Sequence, residues 1–153
     1  MSIGLYPFKI FTPVPSAYYD ERDKVIQEET VYFFNKKLKE YDAYISEITV
    51  VELTGTKELS IRRQLLVLVE GITILPRTEE AEELADLYVK NRIVPVKYRR
   101  DALHIAIATL NDIDILVSWN FDHIVKHQTR QMVTGVNILK GYKPIDIISP
   151  QEI

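Results

Sequence analysis

The 153-residue sequence contains no cysteine, and this absence removes disulfide bonds, thiolate nucleophiles and thiolate metal ligands together. Glycine is scarce, with five residues, and none forms a GxGxxG or GxxxxGK phosphate-binding loop. No apolar run is long enough to span a membrane, since Glu70 interrupts the longest one, near residues 65–75. The first four residues lack the features of a signal peptide, so we expect a cytoplasmic protein.

An excess of one charge is also missing, because 19 basic residues face 22 acidic ones and the net charge is -3. This balance excludes the positive field that a general nucleic-acid coating protein spreads over its whole surface. The hydrophobic content of 46% excludes disorder over most of the chain. The length and the absence of repeats or linkers predict one domain over residues 1–153.

Strand-like and helix-like patterns alternate along the chain. Short apolar runs predict strands at residues 8–11, 43–46, 72–75, 114–119 and 144–149. Helical periodicity predicts helices over residues 21–41, over residues 57–70, after the cap Thr78, over residues 98–110 and, as a short helix, after residue 119. Residues 47–53 are left open between strand and helix. This order predicts an α/β protein, a three-layer α/β/α sandwich with a central, mostly parallel sheet.

Polar side chains follow several of the predicted strands. Glu52 comes six residues after Ser46, Asp101 opens the apolar helix, and Asn120 and Asp122 follow the strand at residues 114–119. Ligands of doubly wound sheets bind beyond the carboxyl ends of the strands. We therefore expect these four side chains to converge in one crevice.

Each of the four also has a purely structural interpretation. Asp101 is a first-turn carboxylate that the helix dipole stabilises by about 0.3–1 kcal/mol. Glu52 belongs to a solvated helix face, as most single glutamates do. Asn120 or Asp122 caps the next helix. For Asp101 taken alone, the structural interpretation is the better one.

The histidines do not predict a zinc site, because no HExxH or paired spacing occurs. His104 lies three residues after Asp101 on the same helix face, where a core histidine is the more common case. His123 either supports a site or belongs to a helix turn. A Ser–His–acid nucleophile stays open, although no GxSxG elbow is present.

In combination, these segments resemble the PIN-domain family, the small metal-dependent nucleases that include VapC-like toxins of toxin–antitoxin pairs. The stretches that carry the resemblance are SEITVVEL at residues 46–53, DALHIAIA at 101–108 and ILVSWNFDHI at 115–124. GYKP at residues 141–144 and IISPQE at 147–152 resemble one branch of that family. The resemblance covers nearly the whole chain.

The resemblance implies a carboxylate cluster that holds Mg²⁺ or Mn²⁺ and cleaves RNA phosphodiesters. Glu52, Asp101 and Asn120 match the second, third and fourth metal-site positions of the family, and Asp122 matches an auxiliary acid. The residues expected to support them are Thr12, Ser118, His104 and His123. Oxygen ligands suit both ions, which agrees with these residue types. The resemblance also implies an antitoxin as a protein partner and a homodimer.

The amino-terminal strand departs from the family, in which it ends in an Asp that is the first metal ligand. Aligning Thr12 with the following Thr or Ser of the family puts Phe11 at that position, and a register with a two-residue deletion leaves no residue there. Asp20 is too far along the chain to substitute. The site then holds one ion or none, because a two-ion site needs a bridging carboxylate.

Two hypotheses follow for the function. The first is a divalent-metal ribonuclease, and the second is a degenerate PIN-like protein that binds RNA or a protein partner without cleavage. A phosphoacceptor receiver domain is disfavoured, because no acidic pair follows the first strand. A basic rim would support either hypothesis. Its candidate members are Arg62, Arg63, Lys97, Arg99, Arg100, Lys126, His127 and Arg130, and the sequence identifies no exposed aromatic residue for base stacking.

Overall fold

The computed structural model describes residues 8–12 and 15–153, apart from the side chain of Ser16. The first four residues and part of the turn predicted after Phe11 lie outside the described residues. Five strands form one sheet: β1 Lys9–Phe11, β2 Asp42–Ser46, β3 Thr73–Leu75, β4 Ile115–Val117 and β5 Asp146–Ile148. The α-helices are α1 Lys24–Tyr32, α2 Glu47–Thr54, α3 Leu59–Leu68, α4 Glu79–Lys90, α5 Arg99–Leu110 and α6 His127–Leu139.

The sheet has the order β3-β2-β1-β4-β5, and every neighbouring pair is parallel. Parallel sheets are covered on both faces, and strand alternation provides the two apolar surfaces here. Phe11 and Leu116 belong to the core cluster that includes residues of α4, α5 and α6. Ile10 and Val117, one position away, belong to a second cluster with Phe33 that lies next to α1. The predicted α/β fold with a parallel sheet between helices is therefore confirmed.

Capping side chains determine where two helices begin. The Ser46 hydroxyl accepts a hydrogen bond from the backbone N–H of Thr49 at 3.2 Å, so α2 starts directly after β2. This cap resolves residues 47–53, which the sequence left open, as helix. Thr78 caps α4 in the same way through the N–H of Ala81, as predicted.

Two helix predictions need correction. Residues 21–41 do not form one helix: α1 begins after its cap Asp23 and passes into a π-helix at Phe33–Lys37 and a 3₁₀ turn at Leu38–Glu40. The consecutive side chains Phe33 and Phe34 are both buried in this π-helical turn. The helix after β4 is also longer than predicted, with 13 residues in α6. It begins only at His127, because the backbone before it forms a separate hydrogen-bonded turn.

The helices in the described part of the chain are all too short or too polar to cross a bilayer.

Candidate functional site

The carboxyl ends of β1 and β4 adjoin at the point where the strand order changes direction. From β1 the chain continues outward through β2 and β3, whereas β4 and β5 lie on the other side. Ligands of open parallel sheets bind in the crevice at such a point. The residues at these two strand ends are Phe11, Thr12 and Ser118, and all three are buried.

Phe11 closes the end of the central strand with an apolar ring. It is fully buried, and its ring centroid lies 6.1 Å from that of His104 on α5. The ring offers no oxygen to a hard cation. The next residue, Thr12, continues the parallel pairing by donating its backbone N–H to the carbonyl of Tyr44 at 3.1 Å. The position at which the resemblance implies the first carboxylate is therefore part of the hydrophobic core.

Asn120 organises the loop between β4 and α6. Its backbone N–H donates to the hydroxyl of Ser118 at 3.0 Å, and its side-chain oxygen accepts the backbone N–H of His123 at 2.9 Å. Its backbone carbonyl accepts from the N–H groups of Ile124 and Val125. The remaining polar atom, the amide nitrogen, donates to Asp101 at 3.0 Å. Asn120 thus joins this loop to the first turn of α5.

Asp101 is the half-buried carboxylate of the site. Burial is the largest influence on its pKa and raises it above the ordinary value of 3.8. Positive charge on His104 or His123 and the hydrogen bond from Asn120 favour the ionised form, while the charge of Glu52 opposes it. These four groups therefore surround Asp101.

Glu52, on α2, faces two basic side chains of α5. Its Oε1 lies 3.6 Å from a guanidinium nitrogen of Arg100 and 3.6 Å from Nε2 of His104. Glu52 and Arg100 also line a cavity of about 210 Å³ that extends to Val51 and Arg77. The carboxylate of Glu52 thus forms an ion pair with Arg100, while its negative charge also acts on Asp101.

His104 is almost fully buried, and its Nδ1 has no hydrogen-bond partner among the described residues. An imidazole nitrogen in this position is unfavourable, since a buried polar atom without a partner costs about 1–3 kcal/mol. Its surroundings are the ring of Phe11 on one element and the carboxylate of Glu52 on another. His104 is therefore a buried polar residue that packs near the apolar ring of Phe11.

Asp122 occupies a different place from the other predicted site residues. It is exposed and lines a cavity of about 190 Å³ together with Arg92, Lys126 and the next residue, His123. The structure thus brings Glu52, Asp101, Asn120, His104 and His123 together, and it places Asp122 at the neighbouring cavity.

Sequence reasoning missed Tyr98, which stands directly before α5. Its ring stacks on that of His123, with centroids 4.1 Å apart and planes inclined by 26°. Tyr98 is 39% exposed, and the ammonium of Lys97 lies 5.4 Å from its ring centroid. The signal in the sequence is an aromatic residue inside the basic run KYRR, immediately before Asp101.

The predicted basic rim is only partly free to meet a ligand. Arg99 forms ion pairs with Glu82 and Asp86, which join it to α4. Arg130 donates to the carbonyl of Val125 at 2.7 Å and pairs with a carboxylate near the carboxyl terminus. Lys97, Arg100 and Lys126 are exposed and lie at or beside the residues described above.

The residues present do not fit the Mg²⁺ or Mn²⁺ site that the resemblance implies. Phe11 contributes no ligand, and Asn120 turns its N–H rather than its oxygen toward Asp101. Glu52 is paired with a guanidinium. Within residues 8–12 and 15–153, no group of three or more His, Asp or Glu side chains is arranged to hold a metal ion.

The five-stranded parallel sheet flanked by helices is an α/β fold, and comparison with solved structures shows that this fold is PIN-like. No protein-family model matches the chain, and no curated protein matches it in sequence. The structure of VapBC2 from Rickettsia felis bound to a DNA fragment from their promoter contains a chain that superposes with a TM-score of 0.53. The two chains are 10% identical, and the match covers 93% of this chain and 98% of the other.

Proposed function

We propose that this chain is a PIN-like RNA-binding protein whose acidic site does not cleave RNA. The observation that carries the proposal is the fully buried Phe11 at the end of the central strand. The ring removes a carboxylate and places apolar surface against His104. The exposed cations Lys97 and Arg100, beside the same site, supply charge for phosphate contacts.

The test compares the purified protein with Phe11→Asp and with the matched variant Phe11→Asn, which adds a similar polar volume without the charge. Each is incubated with single-stranded and structured RNA in Mg²⁺ and in Mn²⁺, and the RNA is resolved on a gel. We expect no cleavage by the wild type or by Phe11→Asn, and cleavage by Phe11→Asp. Folding of both variants is checked by circular dichroism, because a charge at a buried position is destabilising.

Metal-dependent RNA cleavage by the wild type is the second candidate function. The convergence of Asp101 with Glu52 at the edge of a PIN-like sheet favours it. Cleavage by the wild type that Asp101→Asn abolishes would establish this candidate and overturn the first. RNA left intact by both proteins would support the first.

The likeness to VapBC2 supports an antitoxin-like protein partner for this chain. A homodimer and a single PIN-like domain over the whole chain are further proposals, which follow from the resemblance of the sequence to the PIN-domain family. A small DNA-binding protein encoded beside this gene is the expected partner. Co-purification of the two, followed by sedimentation of this chain alone, tests both predictions. A monomer that does not co-purify with the neighbouring protein would contradict both predictions.

A further inference from the structure

Tyr98 and His123 form a preassembled aromatic pair at the surface. The two rings come from different segments, the turn before α5 and the loop after β4, and they stack at 4.1 Å. Tyr98 is 39% exposed and His123 is half-buried, so part of the pair faces solvent. Exposed aromatic rings are surfaces on which proteins stack nucleobases without base-specific hydrogen bonds.

The loop around His123 is held in place before any ligand arrives. Asn120 accepts the backbone N–H of His123 at 2.9 Å and donates to Asp101 at 3.0 Å. Asp101 lies in the first turn of α5, and Tyr98 directly precedes that helix. The hydrogen bond between Asn120 and Asp101 therefore holds the loop with His123 close to the ring of Tyr98. A rigid pair loses little conformational entropy on binding.

Cations lie near the pair, together with the carboxylate of Asp122 beside His123. Lys97 places its ammonium 5.4 Å from the Tyr98 ring centroid. Arg100 follows two residues later in the sequence; its guanidinium is largely exposed and also lies 3.6 Å from Oε1 of Glu52. Lys126 lines the cavity on the side of His123. Aromatic surface and cations together match a chain of bases joined by phosphates.

We propose that Tyr98 and His123 form a stacking platform for a base of single-stranded RNA, with Lys97 and Arg100 contacting the adjacent phosphates. The inference rests on the proposed RNA-binding function and names its substrate class. Single-stranded RNA is the expected form, because the bases of an A-form duplex are not available for stacking on side chains.

The test measures binding of a fluorescent single-stranded RNA and of its matched duplex to the wild type, Tyr98→Ala and Tyr98→Phe. Tyr98→Ala is expected to weaken binding of the single strand by about tenfold, and Tyr98→Phe, which keeps the ring, by less than about twofold. The duplex is expected to bind more weakly to the wild type and to be insensitive to Tyr98→Ala.

Tyr32 provides the matched control, since it is 53% exposed on α1 and has Lys37 located 5.2 Å from its ring centroid. Tyr32→Ala is expected to bind RNA as the wild type does. A wild type that binds no RNA would refute the proposed function and the platform together. RNA binding that Tyr98→Ala leaves unchanged, or that Tyr32→Ala weakens equally, would refute the platform alone.

Photocrosslinking examines the native protein without any substitution. RNA that carries 4-thiouridine is bound, irradiated and digested, and the crosslinked peptides are identified by mass spectrometry. Crosslinks at Tyr98 or His123 are expected. Crosslinks confined to other segments would overturn the platform even if the Tyr98 variants were unstable.

Discussion

His104 is a side chain whose surroundings match its chemistry poorly. Its Nδ1 has no partner among the described residues, and the ring packs near Phe11. We expect His104→Leu to be stabilising or neutral, by about 0–2 kcal/mol in the free energy of unfolding, since an apolar side chain of similar size removes a buried polar atom without a hydrogen bond. Urea denaturation measures this difference. Destabilisation by His104→Leu would show that the imidazole makes a favourable contact.

Asp101 predicts a pH dependence of stability. Burial raises its pKa above the ordinary 3.8, to which the group returns on unfolding. The native state therefore binds the proton more tightly, and the contribution of this carboxyl to stability is greatest below 3.8 and is lost as the pH rises through the raised pKa. Asp101→Asn removes the charge that burial opposes.

The experiment compares the unfolding free energies of the wild type and Asp101→Asn across the acidic to neutral range. Asp101→Asn is expected to gain stability relative to the wild type as the pH rises above 3.8, and then to keep a constant difference. Asp146→Asn is the control, because the side chain of Asp146 is exposed at the start of β5. A relative loss of stability with rising pH would contradict the raised pKa of Asp101.

The loop between β4 and α6 depends on Asn120 more than on any other described side chain of that loop. Asn120→Ala removes the side-chain hydrogen bonds to Asp101 and to the N–H of His123. We expect a loss of about 1–3 kcal/mol in unfolding free energy and faster amide hydrogen exchange at His123. Asn91→Ala is the control, because the side-chain amide of Asn91 donates only to a carbonyl of its own helix. We expect this variant to leave the hydrogen exchange at His123 unchanged. Unchanged exchange at His123 in Asn120→Ala would contradict this role.

A buried hydrogen-bond network joins α4, α5 and α6. The hydroxyl of Tyr88 donates to Oδ1 of Asn137 at 2.5 Å, and the amide of Asn137 donates to Thr109 at 3.1 Å. We expect Tyr88→Phe to cost about 1–3 kcal/mol, because the fully buried oxygen of Asn137 loses its donor. Burial raises the pKa of Tyr88 to about 12, so the tyrosinate absorbance that Tyr88→Phe removes should appear only near that pH. Tyr142→Phe is the control, because the hydroxyl of Tyr142 lies outside this network. An equal loss of unfolding free energy in Tyr142→Phe would contradict the role of the network.

Helices and strands were largely predictable because local chemistry determines them. Thr78 precedes a regular apolar repeat, and the structure confirms both the cap and the helix. The interruption of the predicted helix over residues 21–41 was not predictable from periodicity, because adjacent buried rings such as Phe33 and Phe34 depend on the sheet surface they meet. The bond from Asn120 to Asp101 was missed for a similar reason: one of the two side-chain hydrogen bonds of Asn120 stays within its own loop, but the one to Asp101 spans 19 residues.

At the scale of the whole molecule, the sequence predicted the topology of the sheet better than it predicted the geometry of the side chains. Alternating strands and helices predicted the parallel sheet, and the sheet in turn predicted that Glu52, Asp101 and Asn120 approach one another. No sequence pattern indicated that Asn120 would present its N–H to Asp101, or that Tyr98 would stack on His123. Those details depend on rotamers that only the packed molecule determines.

Divalent ions test the site through the stability of the whole molecule. An ion that binds only the native state, at a concentration about 100 times its Kd, adds about 2.7 kcal/mol and raises the melting temperature by roughly 5–10 °C in a domain of this size. Because Phe11 supplies no oxygen ligand and Glu52 is paired with Arg100, we expect Mg²⁺ and Mn²⁺ to shift the melting temperature of the wild type no more than they shift that of Asp101→Asn. The comparison cancels any general effect of divalent ions on an acidic chain. A rise of several degrees in the wild type that Asp101→Asn lacks would establish a specific ion and restore the ribonuclease as the better hypothesis.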